Sequence, residues 1–447
     1  MHKKSIESVI SALEKYLQHI IETKNFNIQD FVNFMEPIFA QAGYRDKKIS
    51  SKENVLIILD AQGVGDFLWK TGILREIRRI YPEANIRLVM FPAAQSIAET
   101  CPYVDEIIFN PMTFNFVDFI GMFKHNIEVA KKLLTEQINV CYAFPYYHHT
   151  PLLMYMSGAA ERISFKFGED DTINWPDSSA APHLPYTFRR SYLNQLATIS
   201  VPQFLYGGHN VDISFALLDY VLKSPVSKRN MEVWLTAPDR TIAHDILADK
   251  SRHYIALAMG GNTLHKHYPP EKYAALIKMI LREEENSVFA ILGGGGKDLQ
   301  SAEILKNALP EEIQKNHIID LTNKLTHRQS AAVLNLCEIF IGNDTGLMHV
   351  AAAENVPVLA VFCYPADLPE HKLSAITTSC PYQVASVIVQ PSKSLPECAA
   401  IKANNYYGCK SSRPHCITQI ESATVFEGYH LLKERIEKNI IEPLYIH

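Results

Sequence analysis

No apolar run in this 447-residue chain reaches the length of a membrane-spanning helix; stretches such as 55–59 and 356–362 are the size of strands. The amino terminus, Met-His-Lys-Lys, begins basic but places Glu7, Glu14 and Lys15 where a secretory signal needs an unbroken apolar segment. A cytoplasmic protein is expected. Cysteine is sparse: eight residues with no Cys-x-x-Cys pair, and the late group Cys380, Cys398, Cys409 and Cys416 has the spacing of no zinc module. Reduced structural cysteines are therefore expected rather than a disulfide scaffold or a metal centre. The net charge of −5 gives no general reason for a nucleic-acid partner. Neither a short repeat nor a low-complexity tract is present, and 47% hydrophobic with 20% charged residues is the balance of an ordinary globular protein.

What is present is a chain too long for one comfortable core, arranged in two similar series. Residues 4–22 and 28–42 read as two helices, the first with a stripe of Ile6, Val9, Ile10, Leu13, Leu17, Ile20 and Ile21. Its polar face mixes Glu with Lys, which favours a helical cap on the body or on another subunit over a membrane-lying helix. From about residue 53, short apolar strands alternate with helices: strands 55–60, 86–91, 106–109 and 140–144, helices 67–81, 96–101 and 116–135. The stretch 165–210 reads as loops with one helix near 187–199, and a strand at 233–235 closes the first half. A second series places strands at 254–259, 288–292, 317–320, 338–342 and 357–362, with helices at 270–285, 297–308, 327–336 and 346–354, and a last helix at about 419–437. Strand-length apolar runs alternating with helices imply α/β domains with parallel sheets covered on both faces. Two such series imply two Rossmann-like domains with a cleft between them.

Ligands of open parallel sheets bind outside the carboxyl ends of the strands, so the loops there carry the search for chemistry. After the first strand comes Ala61-Gln62-Gly63-Val64-Gly65-Asp66-Phe67. It lacks the third glycine of a dinucleotide fingerprint, since Leu68 stands there, and no acidic ribose partner is evident, which argues against a nicotinamide enzyme. Gly63 and Gly65 permit a tight turn and close ligand approach, and Asp66 opens a helix, as a cap or as a carboxylate facing the cleft. The loop 260–267 offers Gly260, Asn262, Thr263 and Lys266 before Pro269-Pro270, a composition suited to a diphosphate or to a solvated turn. Gly293, Gly294, Gly295 and Gly296 follow a strand and cost backbone entropy without gain in packing, so they are read as a place of close ligand approach. Finally, Gly342-Asn343-Asp344-Thr345-Gly346-Leu347-Met348-His349 opens a helix whose free amides and positive dipole end suit an anion. No Asp-x-Asp occurs, so lysine and helix amino termini, not a carboxylate-held metal, are expected to neutralise a diphosphate.

Taken together, Gly65-Asp66-Phe67-Leu68, Tyr81-Pro82-Glu83-Ala84, Cys101-Pro102-Tyr103-Val104-Asp105-Glu106-Ile107, Lys266-His267-Tyr268-Pro269-Pro270-Glu271-Lys272-Tyr273 and the run 342–353 resemble glycosyltransferase family nine, the ADP-heptose:lipopolysaccharide heptosyltransferases. The tail through Cys416-Ile417-Thr418 is similar to the carboxyl termini of many members, and the likeness runs from about 53 to 435.

The resemblance implies a GT-B fold: a helical extension at 1–52, an acceptor domain at 53–236, a nucleotide-sugar domain at 237–418, and a terminal helix at 419–447 returning to the first domain. It implies an inverting transfer without cofactor or metal, with Asp66 as general base. Gly260, Asn262, Thr263, Lys266, Gly293, Gly294, Gly295, Asp344, Thr345, Gly346 and His349 would meet the donor. Gly63, Gly65 and Arg75 would meet the acceptor. Arg75, Arg78, Arg79, Arg189 and Arg190 either face an anionic acceptor or form a solvated basic surface. The implied partners are a nucleotide-diphosphate sugar such as ADP-heptose and a glycan or glycolipid acceptor, with room for peripheral contact at the inner face of the inner membrane and for self-association through the amino-terminal helices. Residues 1–52 have no counterpart in a typical member, and the glycine run departs from the family's acidic segment. A non-catalytic nucleotide-sugar binder and a GT-B nucleotide-sugar epimerase are the alternatives.

Overall fold

The computed structural model describes residues 3–45, 54–111, 118–145, 149–168, 172–175, 186–202, 208–261, 263–367, 376–396 and 415–447. Two compact units emerge: one of residues 1–62, 73–207 and 213–227, the other of 63–72, 208–212 and 228–447. No described helix is long and apolar enough to cross a membrane.

The first unit holds a parallel sheet in the order β3-β2-β1-β4-β5-β8, built from β1 (Asn54–Leu59), β2 (Asn85–Met90), β3 (Glu106–Phe109), β4 (Val140–Phe144), β5 (Glu161–Lys166) and β8 (Ile199–Pro202). β1 and β4 pair in register from Val55↔Val140 to Leu59↔Phe144. Residues 55–59 are all buried, as expected of a central strand covered on both faces. A separate antiparallel ladder joins β6 (Thr172–Trp175) to β7 (Tyr186–Arg189).

The amino-terminal helices α1 (Lys3–Thr23) and α2 (Ile28–Gln41) share one core with α6 (Phe119–Leu133) and α7 (His149–Met156). Val9, Leu13 and Ile20 of α1 are fully buried, and the Asn27 side chain caps α2 by accepting from the Asp30 amide at 3.1 Å. Most of the apolar stripe therefore packs inside the unit, with Ile21 left 42% exposed, and residues 3–45 form part of the first domain rather than an appendage. A partly buried polar cluster pins them. Glu36 takes two hydrogen bonds from Arg45, at 2.9 and 3.2 Å, and one from the Tyr155 hydroxyl at 2.7 Å. The Arg45 guanidinium lies over the rings of Phe39 and Tyr155, 4.3 and 4.9 Å from their centroids. Below it, Arg162 donates to the carbonyls of Leu196 and Ala159, and its burial draws the guanidinium down to about 10.

Burial alone would raise the Glu36 carboxyl, but the Arg45 and Tyr155 hydrogen bonds and the two guanidinium charges outweigh it, leaving it below the ordinary 4.5. A lowered folded value stabilises the fold above the unfolded value and is lost as pH falls through the folded one. Glu36→Gln is therefore expected to lower the thermal midpoint at pH 7, and the gap from wild type to close progressively below about pH 4.5. Because the Glu36 side chain is 41% exposed, solvent screening keeps the gap modest. Melts of both proteins from pH 3 to 8 check this.

The second unit repeats the topology: β11-β10-β9-β12-β13-β14-β15, from β9 (His253–Ala258), β10 (Ser287–Leu292), β11 (Ile318–Asp320), β12 (Ile339–Asn343), β13 (Val358–Val361), β14 (Ser386–Val389) and β15 (Leu444–Ile446). Both sheets reverse their strand order beside the first strand, at β1/β4 and β9/β12, the position at which doubly wound sheets bind ligands. The two α/β parallel-sheet units with their amino-terminal helices are those of a GT-B protein.

Three expectations need correction. The terminal helix α15 (Ser422–Glu437) does not return to the first domain. Val425, Tyr429 and Leu432 enter the second unit's core, Gly428 lies against Leu359, Val389 and Ile446, and the chain then adds β15 to that unit's sheet. The run 233–235 joins no sheet; Trp234 packs edge-on to Phe67 instead. The helix 67–81 is two helices, α3 (Val64–Leu68) and α4 (Thr71–Ile80), and the boundary between the units falls just inside the second.

Candidate active site

The candidate site lies in the second unit, at the carboxyl ends of β9, β10 and β12. Asn343 ends β12 fully buried and ties two of these ends together. Its amide nitrogen donates to the carbonyls of Met259 and Gly260, at 2.5 and 3.1 Å, and its oxygen accepts from the Tyr273 hydroxyl at 2.7 Å. With β9 and β12 so fixed, the loops beyond them meet: the Lys266 ammonium donates to Asp344 Oδ2 at 2.5 Å. The Lys266 side chain keeps 24% exposure and Asp344 only 9%, so the lysine is the open member of the pair. Two imidazoles flank it. The His267 ring lies 3.0 Å from the Gly261 carbonyl, while burial, with Lys266 and His415 nearby, holds His265 below its ordinary value.

Thr345 caps α14 (Gly346–Ala353) by accepting from the Met348 amide at 3.4 Å, so the first turn presents its remaining amides beside Lys266 and Asp344. A pairing of ammonium, carboxylate and helix amino terminus at a strand-order reversal suits an oxyanion with several acceptor oxygens, a diphosphate among them.

Asp298, which the sequence reading passed over, gives two of the glycines a reason other than a ligand. Its carboxylate accepts from the Gly294 amide at 2.7 Å. A Cβ at Gly260 would come within 2.4 Å of it, and one at Gly293 within 2.7 Å. Burial holds this carboxyl above its ordinary value against the pull of that amide. Gly295, at φ +100° and with open space around it, is bonded through its amide to Asn323 Oδ1 at 2.5 Å, and it alone of the run requires glycine's left-handed freedom.

The segment 63–72 belongs to this unit and not to the sheet it follows. Phe67 packs against Trp234, the Thr71 hydroxyl accepts from the Glu232 amide at 2.8 Å, and the Trp69 indole donates to His349 Nδ1 at 3.4 Å. The starts of α3 and α14 touch: a Cβ at Gly65 would lie 2.6 Å from His349 Cδ2, and one at Gly346 would lie 3.0 Å from Val64 Cγ1. Asp66, half-buried one residue further on, accepts from the Gly63 amide through Oδ2 at 2.9 Å, and Lys70 donates to its carbonyl at 3.0 Å. The capping bond fixes the Asp66 carboxyl at a helix start, beside the turn that carries Gly346.

The structure therefore gathers Gly63, Gly65, Asp66, Gly260, Lys266, Asp344, Thr345, Gly346 and His349 in one unit, with Thr263, Gly293, Gly294 and Gly295 on the same strand-end loops. Asn262 lies outside the described residues, as do Cys398 and Cys409; the six described cysteines are free and buried. Arg75 sits in the first unit and donates to Glu76 at 3.0 Å, which also takes Arg79 at 2.8 Å. Arg78 is structural: it donates to the carbonyls of Tyr103, Pro82 and Ala84 and pairs with Asp105 at 2.6 Å. The side chains of Arg189 and Arg190 are outside the description. Sequence reasoning missed Trp69, Asp298 and Asn343. Only Asn343 gave a signal, standing inside the strand-end motif.

A family model described as glycosyltransferase family 9 (heptosyltransferase) matches residues 186–381. Lipooligosaccharide heptosyltransferase 2 of Haemophilus influenzae is 32% identical over 97 residues, 22% of this chain and 27% of that protein. Lipopolysaccharide heptosyltransferase 2 of Escherichia coli is 23% identical over 313 residues, 69% of this chain and 82% of that one. Among solved structures, the family 9 glycosyl transferase of Veillonella parvula aligns with a TM-score of 0.65 at 18% identity, covering 86% of this chain and 98% of its own. ADP-heptose lps heptosyltransferase II of E. coli aligns with 0.61 at 18%, covering 86% and 99%. At these identities the structural likeness is one of fold.

Proposed function

We propose, from the premise that the chain is a glycosyltransferase of family 9, that it moves heptose from ADP-heptose to a hydroxyl of a glycan acceptor such as lipopolysaccharide core, with inversion and without a metal. The observation that carries this reading is the meeting of the Gly65-Asp66 helix start with the Gly346 helix start beside Lys266. A carboxylate, an ammonium and exposed amides are the groups a single displacement from a diphosphate needs. Asp66 takes the proton from the acceptor hydroxyl as its oxygen attacks the anomeric carbon. The bond from that carbon to the diphosphate breaks, and Lys266 with the α14 amides stabilises the charge that the leaving ADP gains. Attack opposite the leaving group inverts the anomeric centre. Lys266 and a helix amino terminus supply the positive charge that enzymes with an Asp-x-Asp obtain from a divalent ion. The reaction belongs in the cytoplasm, where nucleotide sugars are made, with a glycolipid acceptor reached at the membrane's inner face.

The test is a panel of nucleotide sugars incubated with the protein, nucleoside diphosphate release being followed with and without lipopolysaccharide-core acceptors. Release of ADP from ADP-heptose that requires acceptor and is unchanged by EDTA is the expected result. Formation of an isomeric nucleotide sugar without acceptor would make the protein an epimerase, and donor binding without release would make it a sensor.

A further inference from the structure

The segment that carries Asp66 is fastened to the second unit at one side chain in particular. Trp69 is buried, its indole N–H donates to His349 Nδ1 at 3.4 Å, and the two rings stand edge to face at 5.0 Å and 80°. His209 closes the same cluster, its ring perpendicular to the Trp69 ring at 6.3 Å, with Nε2 at 2.8 Å from the Cys380 carbonyl and Nδ1 accepting from the Val211 amide. Each partner lies one helical turn from a reacting group: Trp69 is three residues after Asp66, and His349 three after Gly346. The glycines at 65 and 346 allow the two helix starts to close to van der Waals contact, so little slack remains between them.

Acceptance of the indole proton at Nδ1 places the imidazole's own proton on Nε2. Burial, with His209 and Lys266 nearby, lowers the ring to about 3 despite Asp344, so it stays a neutral acceptor throughout the working pH range.

We infer that Trp69 and His349 are a positioning pair that sets the distance between the Asp66 carboxylate and the diphosphate-binding turn of α14. The assignment rests on the reading of Asp66 as the base. It differs from ordinary core packing in what it requires: the indole N–H and its acceptor must both be present, whereas packing needs only the ring. It also explains why a carboxylate that follows the first sheet's central strand is held by the second unit. Base and leaving-group site then keep their spacing as one body, and small displacements of reacting groups are costly.

Four variants test it: Trp69→Phe, which keeps a ring and deletes the donor; His349→Asn, whose amide can still accept near the Nδ1 position; His349→Leu, which cannot; and Trp69→Phe combined with His349→Leu. Trp69→Phe is expected to lower kcat about tenfold with donor KM within about twofold of wild type. His349→Leu should match that loss, His349→Asn should recover most of it, and the double variant should lose no more than either single one. Wild-type kcat in Trp69→Phe, equal impairment of His349→Asn and His349→Leu, or additive losses would each overturn the inference. A second readout needs no substrate. The chain has three tryptophans, and the indole N–H resonance that disappears in Trp69→Phe should shift in His349→Leu and stay near its place in His349→Asn. If it stays put in His349→Leu, no such hydrogen bond exists and the pair is rejected. Should wild type turn over none of the nucleotide sugars, the transferase reading fails on its own, while the resonance still decides the pair.

Discussion

Asp66→Asn is expected to lower turnover about a thousandfold while the donor's dissociation constant moves by less than about twofold, as befits loss of a general base whose shape is preserved. Asparagine can still take the Gly63 amide hydrogen bond that Asp66 Oδ2 now accepts at 2.9 Å, so α3 keeps its cap and the fold its stability. That separates the two roles which a carboxylate at a helix start can hold. A cap alone would lose stability with Ala and little activity with Asn; a base loses turnover with both. Transfer at the wild-type rate in Asp66→Asn, measured by ADP release under saturating donor and acceptor, would remove the carboxylate from the mechanism.

The second large effect is on binding. Lys266→Ala is expected to weaken donor affinity by one to two orders of magnitude, about 1.5–3 kcal/mol for a charge-assisted contact to phosphate. The ion pair at 2.5 Å sharpens this expectation. Asp344 holds the ammonium in place, and without the lysine its carboxylate faces the donor's phosphates, so repulsion adds to the lost attraction. Asp344→Asn, by freeing the ammonium while keeping the turn, should cost less than Lys266→Ala. Calorimetric titration with ADP ranks the two, and unchanged affinity in Lys266→Ala would refute its role at the diphosphate.

How far these residues were legible in the sequence follows from the range of the interactions that define them. The strand-end loops announced themselves by composition, because glycine, capping residues and a lone lysine after an apolar run are local signals. Weak elements escaped for the same reason. β15 is three residues long and β14 four, too short for periodicity to register. The run 233–235 looked like a strand because its alternation is real, but the alternation serves to seat Trp234 on Phe67. The division of 67–81 into two helices falls just before Gly72, too faint a local signal by itself, and at that break the Thr71 hydroxyl accepts from the Glu232 amide across 161 residues of chain. The glycines 260 and 293 were read as room for a ligand, yet the Asp298 carboxylate fills part of that room.

What the sequence settled by itself was the architecture: apolar runs of strand length alternating with amphipathic helices, twice over, leave a parallel sheet covered on both faces as the way to bury them and still satisfy the backbone. What only the tertiary structure decided was allegiance. A ten-residue segment, 63–72, a pair of amino-terminal helices and a terminal helix could each have packed in more than one place, and periodicity is blind to the choice. It was made by contacts between residues more than a hundred positions apart, Trp69 with His349 and Glu36 with Tyr155 among them, because burial energy depends on which surfaces fit and not on where they stand in the chain.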